Sequence, residues 1–424
     1  MLVGHFIIGI LVFIISYVAI VSEKLNRTIV ALFGATLMIL FHVISQSEAL
    51  EKIDFNTLGL LIGMMIIVNI LKKTGLFQYL AIKTAKMAKG DPKKILLYFS
   101  VIAAVASGLL DNVTTILLIV PVTLVISDTL KISPVPFIIA EIMSANIGGA
   151  ATLIGDPPNI MIGGATGFGF VDFIVNLLPL MTVVFITTLV LLRIIFRKSF
   201  NVSEKDKLEI LSFDENKAIT DKSLLIKSLF VLFITILGFT LAEIVDIKSA
   251  SIALFGASLL LLLSKTEPDE ILEKVEWSTI FFFGGLFVLV GSLENIGFIN
   301  LLAEKLLAIT QGSIPFTTIL VLWMSSILSS FLDNIPYVAT MIPLVNSMAS
   351  SSGGNYEPVW WALSIGACLG GNGTIIGASA NVVSRGILEK HGYKITFMGY
   401  LKIAFPLMII SIIISTVYLV IFYL

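Results

Sequence analysis

Four short polar stretches interrupt long apolar runs of this sequence. Two read as tips, Asp111-Asn112-Val113-Thr114-Thr115 and Asp333-Asn334-Ile335-Pro336-Tyr337, and two as breaks, GGAATLIGDPPN at 148–159 and GGNGTIIGASAN at 370–381. Asp156-Pro157-Pro158, set among Gly148, Gly149 and Gly155, would end a helix and leave amides and carbonyls without partners. Free amides at the start of one half-helix favour an anion, and free carbonyls at the end of the other favour a cation. Carboxyls in such a place are functional candidates by default. Desolvation favours the neutral acid and a neighbouring cation favours the carboxylate, so one acid can carry a proton one way and a cation the other.

The candidate substrate- or ion-binding residues are Asp111, Asn112, Thr114, Thr115, Asn146, Thr152, Asp156 and Asn159 in the first half of the chain. In the second half they are Asp333, Asn334, Asn372, Thr374, Ser379 and Asn381. Asp111, Asn112, Asp156 and Asn159 form a candidate sodium set, and Asp111, Asp156, Asp333 and Glu141 are the candidates for proton coupling. The expected coupling ion is H+ or Na+, with no organic cofactor.

Composition sets the surroundings of these groups. The chain has 424 residues, 57% hydrophobic and 13% charged, against about 25% charged in soluble domains. It is expected to be an all-α polytopic membrane protein. A net charge of −1 argues against a nucleic-acid partner, and one cysteine with three scattered histidines leaves neither a disulfide framework nor a metal cluster. No GxxxxGK[ST] loop is present, so a primary pump would need a separate ATPase subunit. An intramembrane aspartyl protease built on Asp111 and Asp156 is disfavoured because the second half matches one acid with Asp333 and the other with Ala378. No enzymatic activity is expected.

Apolar runs long enough to cross a bilayer, about 20 residues, begin with residues 3–22, read as a first span rather than a signal peptide. Others fall at 28–46, 56–72, 137–164, 173–197, 223–245, 250–264, 277–292, 358–386 and 397–424. Two stretches, 95–130 and 314–349, are too long for one span and carry the tips in their middle, which predicts re-entrant hairpins of two half-length helices. The hydrophilic segment 198–222 reads as a linker.

Displaced by 222 positions, the chain matches itself. ALFGATLMIL at 31 falls on ALFGASLLLL at 253, LDNVTTILLIVP at 110 on LDNIPYVATMIP at 332, and TLIGDPPN at 152 on TIIGASAN at 374. The expected organisation is a first repeat over 1–197, with a hairpin at 95–130 and a broken helix at 137–164. The 198–222 linker follows, then a second repeat over 223–424, with a hairpin at 314–349 and a broken helix at 358–386. An odd number of crossings per repeat inverts the second copy. Basic residues agree: 72–94 carries seven lysines where 294–316 has only Lys305, whereas 163–172 has none where Arg385, Lys390 and Lys394 follow the counterpart. This predicts the cytoplasmic membrane, with both termini outside and 23–27, 72–94, 198–222 and 387–394 in the cytoplasm.

Each residue also has a plainer role open to it. The Asp-Asn tips could simply cap their helices, Asn159 and Asn381 could tie down loop backbone, and Thr152 and Thr374 could pack helices. Glu141, matched by Leu363, could be a salt bridge or a proton relay. Gly163, Gly164 and Gly386 read as close-packing glycines and Cys368 as a small buried residue. LFQYLAIKTAKMAKG and FINLLAEKLLAIT read as paired interfacial arms.

The stretches SGLLDNVTTILLIVPVTLVIS, ANIGGAATLIGDPPNIMIGG, DNIPYVATMIP and GACLGGNGTIIGASANVV resemble the ion transporter superfamily that includes arsenite-efflux permeases and sodium/proton antiporters of the ArsB/NhaD type. The nearest resemblance is to permeases similar to the P protein. It implies inverted repeats with two re-entrant hairpins, a scaffold that dimerises, and elevator-type movement of a transport domain. The leading function is secondary transport of a small inorganic ion, as arsenite or antimonite efflux or as Na+/H+ exchange, with membrane lipid as surroundings. A more distant similarity to sodium-coupled dicarboxylate transporters leaves a dicarboxylate- or citrate-like organic anion as the alternative, with a passive channel of the same fold behind it. The acid at each tip departs from the serine-asparagine-threonine pattern of those relatives.

Overall fold

The computed structural model describes residues 2–22, 24–242 and 244–424, and among these the regular structure is helical throughout. Nine of the described helices are long and apolar enough to cross a membrane. Their starts follow the 222-residue displacement: Arg27–Leu40 and Ser249–Ser264, Phe55–Lys72 and Trp277–Asn295, Leu76–Met87 and Phe298–Thr310. The hairpin legs Pro92–Leu109 and Ile314–Phe331, then Asn112–Thr129 and Asn334–Ser352, keep it, and so do the half-helix pairs Val135–Ala150 with Glu357–Gly370 and Pro157–Thr166 with Ser379–Lys390.

Local chemistry explains the starts. Asp91 caps the first hairpin through the amide of Lys93, and Ser313 caps the second through that of Phe316. Gly75 and Gly297, each at φ +77°, take the left-handed turn that leads into the two arms. After the breaks the register lengthens to 227, so the final helices Phe170–Ile195 and Phe397–Phe422 place Pro179 opposite Pro406.

The helices pack in two groups. One contains Leu2–Val21, Arg27–Leu40 and Phe55–Lys72 with Lys222–Leu241, Ser249–Ser264 and Trp277–Asn295. Here the repeats interlock reciprocally: a Cβ on Gly63 would meet the backbone of Ala253 at 2.6 Å, and one on Gly285 the backbone of Ala31 at 2.7 Å. Small residues at these crossings let backbones approach where lipid supplies no hydrophobic drive. The other group holds both hairpins, both broken helices and the final helix of each repeat. There Gly148 abuts Ala104 and Gly370 abuts Ser326, seating each broken helix on the first leg of its own hairpin.

Three expectations are corrected. The hairpin legs have 18 or 19 residues each, about 27 Å at 1.5 Å per residue, and so are not half-length. The 198–222 segment is not a bare linker. Its helix Glu204–Leu211 and 3-10 turn Glu215–Ala218 dock on the first repeat, through Lys131 Nζ to Asp206 Oδ1 at 2.7 Å, Lys86 to Glu215, and Thr220 N to Thr74 O at 3.1 Å. Gly386 is not close-packed, since a Cβ there would meet nothing within 4 Å.

Candidate functional site

Asp156 stands at the N-cap of Pro157–Thr166, yet its side chain caps nothing. Pro157 and Pro158 have no N–H to offer, and the amide of Asn159 bonds to the Asp156 carbonyl at 3.0 Å. The carboxylate is therefore released from its own helix. It is 1% exposed and is met from the other repeat by Asn334 Nδ2, at 3.3 and 3.4 Å from its two oxygens. The nearby Cys368 thiol donates to Asn159 Oδ1 at 3.5 Å.

The tips behave differently from the breaks. Asp111 Oδ1 accepts from Thr114 N at 2.7 Å and Asp333 Oδ1 from Ile335 N at 3.0 Å, so each caps its second leg with one oxygen. Asp333 Oδ2 accepts from Arg27 Nη1 at 2.7 Å and from Ser379 Oγ at 3.2 Å. Asp111 makes its hydrogen bonds within its own tip, to Thr114.

Two cavities border these groups. One of about 250 Å³ is lined by Asp111, Asn112, Asp156, Asn334, Ser379 and Arg27, with Leu61, Met64, Met65 and Ile160 as its apolar wall and Glu276 and Thr279 at one end. The second, about 280 Å³, lies against Asp333, Pro336, Ile376 and Ser379, with Ile20, Val21, Phe282 and Phe331, and shares Arg27 and Ser379 with the first.

Behind the first cavity runs a chain of amides. Asn112 Nδ2 donates to Asn146 Oδ1 at 3.3 Å, and Asn146 Nδ2 to Asn372 Oδ1 at 2.9 Å and Asn381 Oδ1 at 3.0 Å. Asn381 Nδ2 holds the carbonyls of Gly371 and Thr374, as Asn159 Nδ2 holds those of Ala150 and Thr152. Both asparagines thus carry the free carbonyls that the breaks create. Asn159 Oδ1 is taken by Ser364 Oγ at 2.6 Å. Thr152 Oγ1 donates to Gly108 O at 2.7 Å, and Thr374 donates likewise to Ser330 O, pinning each break to its hairpin.

The fourteen residues singled out by the sequence are therefore divided. Asp111, Asn112, Asp156, Asn334 and Ser379 meet at one cavity, and Asp333 with Ser379 at the other. Asn146, Asn159, Asn372, Asn381, Thr152 and Thr374 form the bonded layer behind them. Thr114 contributes its amide to the tip, and the Thr115 hydroxyl is buried with no partner. Asn159 is not among the groups lining the cavity of Asp111, Asn112 and Asp156. Glu141 is buried away from both cavities, with Oε1 accepting from Thr123 Oγ1 at 2.5 Å and no basic partner. The second repeat's tip serves both breaks, Asn334 reaching Asp156 of the first repeat and Asp333 meeting Ser379 of its own.

Arg27 and Glu276, which line the first cavity, are not among the candidates that the sequence offers. Arg27 carried a signal: it is the sole arginine before residue 193, it opens a span, and its counterpart is Ser249. Like Asp156 against Ala378, it marks a place where the repeats part.

The family model described as "Citrate transporter" matches residues 17–366. A 46 kDa membrane protein of Mycobacterium leprae is 41% identical over 97% of this chain and 98% of its own. An uncharacterized transporter of Mycobacterium tuberculosis is 41% identical over 97% of both chains. The human P protein is 34% identical over 96% of this chain and 58% of its own length. Among solved structures, the YdaH transporter of Alcanivorax borkumensis superposes with a TM-score of 0.60 at 12% identity, over 91% of this chain and 88% of that one.

Proposed function

Since the chain belongs to the citrate transporter family of the ion transporter superfamily, we propose that it is a secondary active transporter driven by a proton or sodium ion held at Asp111 and Asp156. Its substrate is a small inorganic ion, in Na+/H+ exchange or in arsenite or antimonite efflux, as the resemblance of its tips and GDPPN segment to ArsB/NhaD-type permeases implies. One observation carries this reading: three carboxylates, Asp111, Asp156 and Glu276, border a single cavity whose only basic lining residue among those described, Arg27, is already engaged by Asp333. Such a cavity suits a monovalent cation or an exchangeable proton and opposes a free dianion.

The two helix groups supply alternating access of the elevator type. Gly164 packs against Asp54 and Thr57, whereas its repeat counterpart Gly386 stands clear of their counterparts, Glu276 and Thr279. The hairpin group is therefore drawn toward one end of the other group, and the exchange of these contacts is the movement we propose. In the cytoplasmic membrane, with both termini outside and 198–222 inside, the Glu276 end of the cavity opens to the cytoplasm. The protein works as a homodimer; an ATPase subunit would join it only if it were an arsenite pump.

A second reading, transport of a citrate-like anion, is favoured by the family description and by the Arg27 and Ser379 pair on the second cavity. The test uses liposomes holding a pH-sensitive dye, with sodium, lithium, arsenite and citrate added outside in turn, for wild type and Asp156→Asn. A proton signal with sodium or lithium that Asp156→Asn abolishes supports cation exchange, and one with arsenite alone supports metalloid efflux. A signal with citrate alone selects the second reading.

A further inference from the structure

Asp111 and Asp333 hold the same place in the two repeats, and each spends one oxygen on its own tip helix. Beyond that they differ. Arg27 Nη1 lies 2.7 Å from Asp333 Oδ2 and 3.1 Å from Ser379 Oγ, which itself donates to Asp333 Oδ2. Asp111 has no such pair, because the repeat puts Ser249 where Arg27 stands and Pro157 where Ser379 stands; its nearby cation, Lys72, makes no ion pair with it among the described residues.

The pair also joins the two helix groups. Arg27 is the first residue of Arg27–Leu40, whose start is held by Asn26, and its guanidinium sits 5.0 Å from the centre of the Phe282 ring. These anchors belong to the group of interlocked spans. Asp333 and Ser379 belong to the hairpin group. The titratable neighbours of Asp333 include Tyr17 from the first span and Asp156 from the other repeat's break. With side chains 33% and 20% exposed, Arg27 and Asp333 face each other at a partly dehydrated boundary where charge pairing is only weakly screened.

We propose that Arg27 is a tethered cation that fills the Asp333 site in this state, so that only the site of Asp111 and Asp156 takes a mobile coupling cation. Movement of the hairpin group carries Asp333 away from Arg27 and leaves that carboxylate open to a cation on the other side. Arg27 is a positioning residue in this scheme: it sets how many coupling ions are bound in each state. The inference rests on the cation-coupled reading above.

The test measures binding of ²²Na+, and proton binding by potentiometric titration, on purified full-length protein: wild type, Asp156→Asn, Asp333→Asn, Arg27→Gln and the double variant Arg27→Gln/Asp333→Asn. The coupling ion is the one that wild type binds and Asp156→Asn loses. Asp333→Asn leaves the guanidinium uncompensated beside the cavity and should weaken that ion's binding by about ten-fold or more. The double variant should restore it, a rescue that a purely structural role for the pair would not produce. Arg27→Gln should bind one additional cation per chain, lost again in the double variant. Asp333→Asn binding like wild type, or a double variant as weak as Asp333→Asn, overturns the proposal while leaving the function above in place. Loss of neither ion in Asp156→Asn overturns the function instead, and this inference with it. Asp333→Asn and Arg27→Gln probe opposite ends of the pair, so either decides the matter if the other does not fold.

Discussion

Asn146 and Cys368 occupy the same position in the two repeats, and each reaches across to the asparagine that holds the other repeat's break. Asn146 Nδ2 lies 3.0 Å from Asn381 Oδ1 and Cys368 Sγ 3.5 Å from Asn159 Oδ1. The contact is symmetric in place and unequal in strength, an amide on one side and a weakly donating thiol on the other. Cys368 is thus part of the cross-repeat seam and not merely a small buried residue.

Asn146→Ala should be the more damaging of the two changes. It strips partners from Asn112, Asn372 and Asn381, all buried. Stranded polar groups cost about 1–3 kcal/mol each, so a clear fall in the thermal unfolding midpoint of detergent-purified protein is expected. Cys368→Ser leaves Asn159 with Ser364 and a hydroxyl in place of the thiol, and its midpoint should stay close to wild type.

Asp156→Asn should fold and fail to couple. The amide keeps an oxygen for Asn334 Nδ2, so the contact between break and opposite tip survives. The negative charge that attracts a cation or proton does not. Ion-driven flux in liposomes should vanish while size-exclusion behaviour is unchanged, and flux at the wild-type rate would contradict the role given to this acid.

The paired glycines offer a test of the state. A methyl group on Gly164 would collide with Asp54 and Thr57, whereas one on Gly386 enters open space. Gly164→Ala should disfavour this arrangement and lower the unfolding midpoint or alter protease accessibility, and Gly386→Ala should do neither. Equal effects at both positions would mean that the two ends are packed alike.

Outside the spans, Glu270 bridges Lys73 at 2.6 Å and Lys274 at 2.9 Å. Hydrogen bonds from those two lysines pull its carboxyl down from the usual 4.5 to about 2. A carboxyl lowered in the folded state adds stability above its unfolded value and loses it as the pH falls toward the folded one. Glu270→Gln should therefore differ from wild type at neutral pH by a small amount that disappears between about pH 4.5 and 2. Because the group is exposed, high salt should erase the same difference.

Local patterns made much of this protein readable. Apolar run length locates the spans, proline and glycine locate the breaks, and the 222-residue displacement ties the hairpin at 95–130 to that at 314–349 and the break at 148–159 to that at 370–381. These signals persist because backbone satisfaction in lipid is a local demand, met or broken within a few residues. The Asp-Asn tips were visible for the same reason, since a charge inside an apolar run is conspicuous whatever it touches.

The sequence by itself therefore determined the helices, their interruptions, the duplication and the acids at the tips and the first break. Tertiary structure decided which acids are free. Asn334 reaches Asp156 across 178 positions and Arg27 reaches Asp333 across 306, and no periodicity encodes contacts at such separations. They depend on how each hairpin leg seats against its broken helix and on where the hairpin group stands against the other spans. That placement gives Asp333 a salt bridge and, among the described residues, leaves Asp111 without one, although the two tips read almost alike as sequence.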